Sequence, residues 1–366
     1  MDFIDVAPIA ERLRQPLRAV LRGDRSDWPD LTPDETHALV VHGLAPLIYA
    51  RARVPQLRSE AIRAAALEPA RAAVLRELLG ALARAGIAAL VLKGSALAYG
   101  LYEAPELRPR GDTDLLVSAS DVERARALFR ELGFDEQPQS GDEHGLRQTV
   151  FTRAAGAGVV HMIDLHWAVA NTPLFAATLE FGELLARAVA IPTLGEHARG
   201  LDDVDALLLA CIHRVAHHHD SDRLIWLVDI ALLRERMTRD AHARFWRAAA
   251  EGRIVGVCRR SIDLADAWMS RPPVHGAEEF LSREELERDE PSRLFLDRGL
   301  TRGALLAANL RALPWRARAA RLWQIAFPPP EFLRQSFGAR GNLVLPWLYV
   351  YRGVRGLLRL FRRVGA

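Results

Sequence analysis

Two aspartates separated by one residue, Asp112 and Asp114, are the first candidates for chemistry in this chain. Because side chains alternate along a strand, this spacing places both carboxylates on one face with their oxygens close together. Carboxylate oxygens are preferred ligands of Mg²⁺, and a pair of such ions can hold both reacting oxygens of a phosphoryl displacement. Asp164, on a predicted neighbouring strand, is the best-placed third carboxylate. Taken alone, an Asp-x-Asp is more often a solvated loop or a helix cap.

A glycine turn precedes this acidic pair. Lys93 is the only lysine of the chain, whose 49 basic residues are otherwise all arginine. It is followed by Gly94 and Ser95 after a short apolar run. A Gly-Ser turn that opens a helix offers backbone N–H groups and a hydroxyl, which favour a triphosphate there. Lys93 and Arg108 would add positive charge, so we expect Lys93, Gly94, Ser95 and Arg108 to bind phosphates.

The elements that must position these residues alternate between strand and helix in the middle of the chain. Apolar patterns predict strands at 87–92, 113–117, 148–153 and 159–165, with helices at 95–102 and 120–132. The last two strands flank a glycine-bearing loop of hairpin length, which would put Asp164 on the returning strand. We predict an α/β (α+β) fold, a small mixed sheet flanked by helices, divided into a helical N-terminal region (1–85), a core (86–200) and a helical C-terminal domain (201–366).

Composition limits the classes of protein that remain. The formal net charge of +3 and the pI near 9.2 are too mild to predict nucleic-acid binding by bulk charge. Two cysteines, Cys211 and Cys258, cannot form a disulfide framework, and the first residues are acidic, unlike a secretory signal. The apolar runs are shorter than the ~20 residues of a membrane span. We therefore expect a folded cytoplasmic protein without a transmembrane segment.

Three motifs resemble the uncharacterised nucleotidyltransferase family of bacteria, within the DNA polymerase beta-like nucleotidyltransferase superfamily. They are residues 92–94 (LKG), 108–117 (RPRGDTDLLV) and 164–167 (DLHW), and the helical segment 207–233 is similar with less specificity. The resemblance implies that Gly94 and Ser95 form the triphosphate-binding turn, that Asp112 and Asp114 bind two Mg²⁺ ions, and that Asp164 is the third carboxylate. The gap between Ser95 and Asp112 is longer than the superfamily's familiar spacing, which predicts an ordered loop near the phosphates.

The reaction implied by this resemblance is transfer of a nucleoside monophosphate from a nucleoside triphosphate, with ATP the first candidate, to an acceptor hydroxyl, releasing pyrophosphate. The acceptor would be a small molecule, a peptide or a protein, and Asp164 would also accept the hydroxyl proton. One alternative is a non-catalytic nucleotide- or partner-binding protein on the same fold. Nucleotide addition to RNA is a second alternative, disfavoured by the modest net charge and by the lack of an aromatic and basic platform.

A histidine cluster allows two interpretations. His213 and His217 are four residues apart in a predicted helix, and His218, His219, Asp220 and Asp222 follow, so a transition-metal site is chemically possible. The interpretation we favour is that His213 and His217, with His166 and Arg223, face the cleft or form hydrogen bonds within a helical core.

The C-terminal segment 349–364 predicts an amphipathic helix. Its arginines (Arg352, Arg355, Arg359, Arg362 and Arg363) share one face, and Val350, Val354, Leu357, Leu358 and Phe361 share the other. We favour a helix that closes the C-terminal domain with a solvated arginine face, and we expect Trp315, Trp323 and Trp347 to pack in the core or the cleft. Peripheral contact with an anionic membrane or with a polyanionic partner is the alternative.

Overall fold

The computed structural model describes residues 7–24, 26–137, 147–155, 159–176, 178–218, 220–270, 275–297, 299–338 and 343–361. Within these residues the chain forms a mixed sheet of seven strands flanked by many helices, so the predicted fold class is confirmed. Within the same residues, none of the helices combines the length and the hydrophobicity that spanning a bilayer requires.

Four α-helices precede the sheet in the described part of the chain. They are α1 (Glu11–Arg22), α2 (Pro33–Val41), α3 (Ala45–Ala52) and the 27-residue α4 (Arg58–Arg84). The start of α2 illustrates how the sequence sets these boundaries. The Thr32 side chain accepts from the backbone of Glu35, the Glu35 side chain accepts from the backbone of Thr32, and Pro33 occupies the first turn. This reciprocal cap satisfies N–H groups that a helix leaves unpaired at its start.

The sheet has the strand order β3-β4-β5-β2-β1-β7-β6. Its strands are β1 (Ala89–Leu92), β2 (Thr113–Val117), β3 (Asp135–Glu136), β4 (Gln148–Ala154), β5 (Val160–His166), β6 (Val189–Ala190) and β7 (Arg199–Gly200). β2 is parallel to β5 and antiparallel to β1, while β4 and β5 form the predicted hairpin. The predicted strands at 113–117 and 148–153 are confirmed. The two-residue strands β6 and β7 were not predicted from the sequence.

The two faces of the sheet pack against different hydrophobic clusters. Val91, Leu115 and Val117 belong to a smaller cluster with leucines of α4 and with α6 (Val122–Glu131). Leu90, Leu92 and Leu116 belong to a larger cluster on the opposite face. This alternation follows the period-two geometry of strands. Because Leu115 and Leu165 both face the smaller cluster, the carboxylates next to them in sequence, Asp114 and Asp164, face the other way.

Helices that follow β1 in the chain cover this second face. They are α5 (Lys93–Gly100), which follows β1 directly, the short α7 (Pro173–Ala176) and α8 (Phe181–Arg187), and then α9 (Asp203–Ala216), α10 (Leu224–Arg236), α11 (Arg239–Glu251), α12 (Val255–Met269), α13 (Ala277–Phe280) and α14 (Arg283–Glu287). The larger cluster joins α9 to α12 with α1 to α3. The division of the chain at residues 85 and 200 stays a prediction.

The last described helices are α15 (Arg302–Arg311), α16 (Trp315–Ala326), α17 (Pro330–Phe337) and α18 (Leu345–Leu360). Two expectations about them are wrong. Trp315, Trp323 and Trp347 do not pack in a core or cleft, because they are 71%, 65% and 76% exposed. α18 exposes its apolar face, not only arginines, because Leu357 is 63% and Leu358 64% exposed. The side chains of Arg359, Arg362 and Arg363, predicted on the arginine face, lie outside what the structure describes.

Candidate active site

Asp114 and Asp164 form the centre of the candidate site. They occupy directly paired positions on the neighbouring parallel strands β2 and β5, and both are 5% exposed. Together with His166 they offer three ligand atoms that lie within 4.8 Å of one another, which is the one such group among the described His, Cys, Asp and Glu residues. Asp112 lies just before β2 and outside this group, although it lines the same cavity. Two carboxylates of this group are therefore brought together across the sheet.

Lys93 contributes an ammonium at the point where β1 ends. Its Nζ lies 2.7 Å from Asp114 Oδ1, and the same oxygen accepts a hydrogen bond from His166 Nε2 at 2.8 Å. The backbone of Lys93 has φ +49°, a left-handed conformation that L residues with side chains rarely adopt. Backbone strain of this kind at a strand-to-helix turn changes the direction of the side chain. Here the Lys93 side chain is directed to the carboxylate of Asp114 on the neighbouring strand β2.

One carboxylate oxygen of Asp164 has a hydrogen-bond partner, and the other has none among the described residues. Oδ2 accepts a hydrogen bond from Gln148 Nε2 at 3.2 Å, and Gln148 Oε1 in turn accepts from Asn171 Nδ2 at 3.0 Å. Oδ1 is buried and has no hydrogen-bond partner among the described residues. A buried oxygen without a partner is costly, which makes it a natural ligand for a cation. Gln148 and Asn171 were not singled out in the sequence, since only the fold reveals that they orient Asp164.

The protonation states of the carboxylates diverge. Burial and the nearby charges of Asp114 and Asp112 raise the pKa of Asp164 to about 7. Burial and the charge of Asp114 likewise raise the pKa of Asp112. Burial alone would raise the pKa of Asp114, but the Lys93 ammonium and the hydrogen bond from His166 lower it below its ordinary value. Asp114 is therefore ionised at neutral pH, whereas Asp164 and Asp112 hold their protons more tightly than usual.

His166 is neutral, and it donates a hydrogen bond to Asp114. Burial and the positive charge of Lys93 lower the pKa of His166, and its side chain is 1% exposed. Since ionised Asp114 can only accept, the imidazole proton lies on Nε2. His166 thus orients Asp114 and does not offer that nitrogen to a metal, in the way that hydrogen bonds orient ligating carboxylates in known metal sites.

These residues fit a hard divalent cation. Asp112, Asp114 and Asp164 line one cavity with Lys93, two of them have raised pKa values, and Oδ1 of Asp164 is buried without a hydrogen-bond partner among the described residues. Oxygen ligands of this kind suit Mg²⁺, and a cation would offset the repulsion that now raises the pKa values. Without a metal, the Lys93 ammonium is the cation that neutralises Asp114.

Gly94 permits a close approach by Arg108. A Cβ built on Gly94 would overlap Nη1 of Arg108. The Arg108 guanidinium also forms a buried salt bridge with Asp229 of α10, with Nη2 2.6 Å from Oδ2, and Asp229 accepts a further hydrogen bond from Tyr102. Arg108 therefore connects the glycine turn to the helices over the sheet, in addition to lining the cavity.

Ser95 faces the interior. It is 1% exposed, its hydroxyl lies 3.3 Å from that of Thr113, and it is not among the residues that line the cavity. The contact joins α5 to β2. The role of the Ser95 hydroxyl in phosphate binding stays a prediction.

Arg110 is a further candidate for binding an anion. Its Nη2 lies 2.5 Å from Glu68 Oε1, and Glu68 also accepts a hydrogen bond from Tyr99. Nε and Nη1 of Arg110 are buried and have no hydrogen-bond partner among the described residues. Arg110 lines the same cavity as the carboxylates. The motif that carries Arg108 contains Arg110 as well, but spacing alone does not indicate which of the two has donors left for a ligand.

The cavity above these residues has a volume of about 780 Å³, within the usual range for ligand sites. Its charged lining comprises Lys93, Arg108, Arg110, Asp112, Asp114, Asp164, Asp203, Arg223, Asp229 and Arg236. Its apolar lining comes from α5, α9, α10 and the segments on both sides of β7, and includes Leu97, Leu101, Ile191, Leu201, Leu209 and Leu233. The cavity therefore joins a charged region to an apolar one.

The histidine cluster forms an aromatic part of the cavity wall. The ring of His218 lies 4.2 Å from that of Trp226 and 4.7 Å from that of His213, and the guanidinium of Arg223 lies over Trp226. His217 also lines the cavity. Burial and the Lys93 charge hold the pKa values of His213 and His217 well below the ordinary value, so both are neutral.

The transition-metal interpretation of this cluster gains no support from the described residues. His213, His217 and His218 do not belong to the group of converging ligand atoms. Asp220 instead forms ion pairs with Arg214 and Arg260. His219 lies outside the described residues.

Comparison with known proteins shows to which family the chain belongs. No curated protein matches the chain. A family model described as uncharacterised nucleotidyltransferase matches residues 26–270, which is more than half of the chain and includes every element around the cavity. The chain therefore belongs to the uncharacterised nucleotidyltransferase family.

Proposed function

We propose that this chain is a Mg²⁺-dependent nucleotidyltransferase that transfers a nucleoside monophosphate from a nucleoside triphosphate, ATP being the first candidate, to the hydroxyl of a small-molecule, peptide or protein acceptor. The observation that carries the proposal is the pairing of Asp114 with Asp164, with one buried oxygen unpartnered, at the wall of a ligand-sized cavity. Family membership supports nucleotidyl transfer in general.

Asp112, Asp114 and Asp164 would hold two Mg²⁺ ions. When bound, the metal supplies neutralisation of phosphate charge and makes an acceptor hydroxyl more acidic. The donors left for the triphosphate are the backbone N–H groups at the start of α5, the ammonium of Lys93 and the free nitrogens of Arg110. Most of the rate enhancement in such a site comes from positioning and from electrostatic stabilisation.

Asp164 is the candidate general base. The acceptor oxygen forms a bond to the α-phosphorus, the bond from the α-phosphorus to the bridging oxygen breaks, and pyrophosphate leaves. The hydroxyl proton passes to Asp164, which is paired with Asp114 at the wall of the cavity. Gln148 fixes the orientation of this carboxylate.

The experiment that tests the proposal follows transfer of an α-phosphate label from each of the four triphosphates to pools of small-molecule, protein and RNA acceptors. We expect label transfer that requires Mg²⁺ and that falls by about 10²- to 10⁴-fold in the Asp164→Asn variant. Asp135→Asn, an exposed aspartate on β3, is the matched control and keeps full activity. Transfer that survives in both Asp114→Asn and Asp164→Asn would contradict the proposal.

A second candidate is a non-catalytic nucleotide-binding protein. It is favoured by the Lys93–Asp114 ion pair, which satisfies Asp114 without a metal. In that case nucleotide binds with the same affinity in Mg²⁺ and in EDTA, and none of the acceptor pools becomes labelled.

A further inference from the structure

Charge is distributed unevenly between the body of the protein and its C-terminal segment. Residues 301–366 contain twelve arginines and one acidic residue, Glu331, and so carry a formal charge of +11. The whole chain carries +3, so residues 1–300 carry −8. Such asymmetry indicates a basic segment that binds an anionic partner.

The same segment carries most of the exposed apolar surface. Of the 19 large apolar side chains that are exposed among the described residues, 14 lie between Trp315 and Phe361. Monomeric proteins rarely expose apolar residues in such a concentration, and a patch of this kind usually marks an interaction site. The basic charge and the apolar surface therefore coincide on α16 to α18.

The exposed side chains follow helical spacing. They fall at positions 347, 350, 351, 354, 357 and 358 of α18 and at position 361 directly after it, which is the spacing of one continuous helical stripe. On α16 the exposed Trp315, Leu322 and Trp323 recur at the same period. Exposed arginines accompany the stripes at positions 311, 316 and 355. Each helix is thus amphipathic with its apolar side turned to solvent.

Two contacts hold α16 and α18 together. The Tyr349 hydroxyl of α18 donates to the carbonyl of Pro328 at 2.7 Å, and the Arg352 guanidinium donates to the carbonyl of Ile325 in α16. The rings of Trp323 and Phe327 lie 4.4 Å apart beside this junction. The stripes of both helices therefore belong to one assembled surface.

The charge and the side-chain composition of this surface distinguish between its possible binding partners. A second copy that paired through the same patch would bring +11 against +11, which is repulsive. The body offers no matching apolar patch among its described residues, where the other exposed large apolar side chains are Ile62, Val160, Met162, Val189 and Leu294. Four of the seven exposed side chains in the stripe that runs along α18 are Val or Leu, which cannot stack on nucleic-acid bases as aromatic rings do.

We propose that α16 and α18 bind the surface of a bilayer that contains anionic lipids. The apolar stripes enter the boundary between headgroups and acyl chains, where tryptophan is favoured, and the arginines contact lipid phosphates. Each basic side chain near such a surface adds about 1 kcal/mol of attraction, or roughly fivefold in affinity. This surface is distinct from the carboxylate cavity and does not depend on the proposed transfer reaction.

Vesicle sedimentation of the full chain tests the proposal. The probes are vesicles of phosphatidylcholine alone and vesicles of equimolar phosphatidylcholine and phosphatidylglycerol. We expect the protein to bind the anionic vesicles, to bind the neutral vesicles much more weakly, and to dissociate as salt is raised. Trp347→Ser/Val354→Ser/Leu358→Ser should lower the partition coefficient at least about tenfold, because the lost apolar area no longer enters the membrane.

A second variant separates charge from hydrophobicity. Arg311→Glu/Arg316→Glu/Arg355→Glu keeps the apolar stripe and should lose binding to anionic vesicles by at least about tenfold. The matched control, Ile62→Ser/Val160→Ser, removes exposed apolar side chains from the body and should bind as the unmodified protein does. All replaced residues are exposed, and circular dichroism and melting temperature verify that each variant folds.

Several results would overturn the proposal. They are absence of binding to anionic vesicles, equal binding to neutral vesicles, or undiminished binding by the serine variant. A dimer in sedimentation velocity that the serine variant abolishes, without vesicle binding, would assign the surface to a second copy. Binding of an RNA oligonucleotide that is lost in both variants, again without vesicle binding, would assign it to nucleic acid.

Discussion

At the scale of single residues, the properties of the site follow from the small number of positively charged side chains near its three carboxylates. Lys93 and His166 both bond to one oxygen of Asp114, which leaves Asp164 with a raised pKa and an unpartnered oxygen. Asp114 and Asp164 could be proposed from the sequence because Asp-x-Asp and a later strand aspartate are visible there. The sequence could not show that Arg108 is bound to Asp229 whereas Arg110 has nitrogens without a partner among the described residues. This difference depends on contacts between residues that are distant in sequence.

Asp164→Asn should stabilise the metal-free protein at alkaline pH. The pKa of Asp164 rises from 3.8 to about 7 on folding. Its favourable contribution is therefore fully present below pH 4 and is lost as the pH rises through 7. Asparagine carries no charge at any pH, so its advantage over aspartate grows across this window, with an upper limit of about 4 kcal/mol.

Urea denaturation in EDTA at pH 5 and pH 8 measures this effect. The difference in unfolding free energy between Asp164→Asn and the unmodified protein should be larger at pH 8. Addition of Mg²⁺ at pH 8 should stabilise the unmodified protein and leave the variant almost unchanged. A difference that is the same at both pH values would show that Asp164 is not under electrostatic stress.

At the scale of elements, the sequence predicted best those strands that are short, continuous and apolar. The segment 113–117 coincides with β2 because all five of its residues are buried on a sheet covered on both faces. The turn after β1 was predicted less well. The left-handed residue of this turn is Lys93, which its sequence did not indicate, and Gly94 is required because Arg108 approaches it closely.

Gly94→Ala should therefore destabilise the protein. The added methyl group overlaps the Arg108 guanidinium, whose position is fixed by Asp229, so we expect a loss of about 1–3 kcal/mol. Gly100→Ala, in the same helix α5, is the matched control, because a Cβ there meets nothing within 4 Å. Alanine at position 100 should be neutral or slightly stabilising. Equal midpoints of urea denaturation for the two variants would contradict this role of Gly94.

At the scale of the whole molecule, the sheet and the helices that follow it share the cavity. β2, β5 and α5 provide the carboxylates and the lysine, whereas α9 and α10 provide the aromatic wall and much of the apolar lining. The sequence separated these parts into a core and a helical domain. The buried salt bridge between Arg108 and Asp229 connects them, and such a pairing across 121 residues cannot be predicted from local patterns.

Asp229→Asn should weaken this connection. Removal of one partner leaves the buried Arg108 guanidinium without its counter-charge, which typically costs about 3–5 kcal/mol. Asp240→Asn, at an exposed aspartate of α11, serves as control and should change stability by less than about 0.5 kcal/mol. The melting temperatures of the two variants provide the comparison. Loss of stability in Asp229→Asn no greater than in the control would mean that the salt bridge contributes little.

Titration of the purified chain with Mn²⁺, followed by electron paramagnetic resonance of the free ion, measures whether Asp114 and Asp164 bind a divalent cation. We expect that the unmodified protein and Asp135→Asn bind Mn²⁺, that Mg²⁺ displaces it, and that Asp114→Asn and Asp164→Asn each weaken binding by at least about tenfold. Equal Mn²⁺ affinity in all four proteins, or no binding even with a nucleoside triphosphate present, would contradict it.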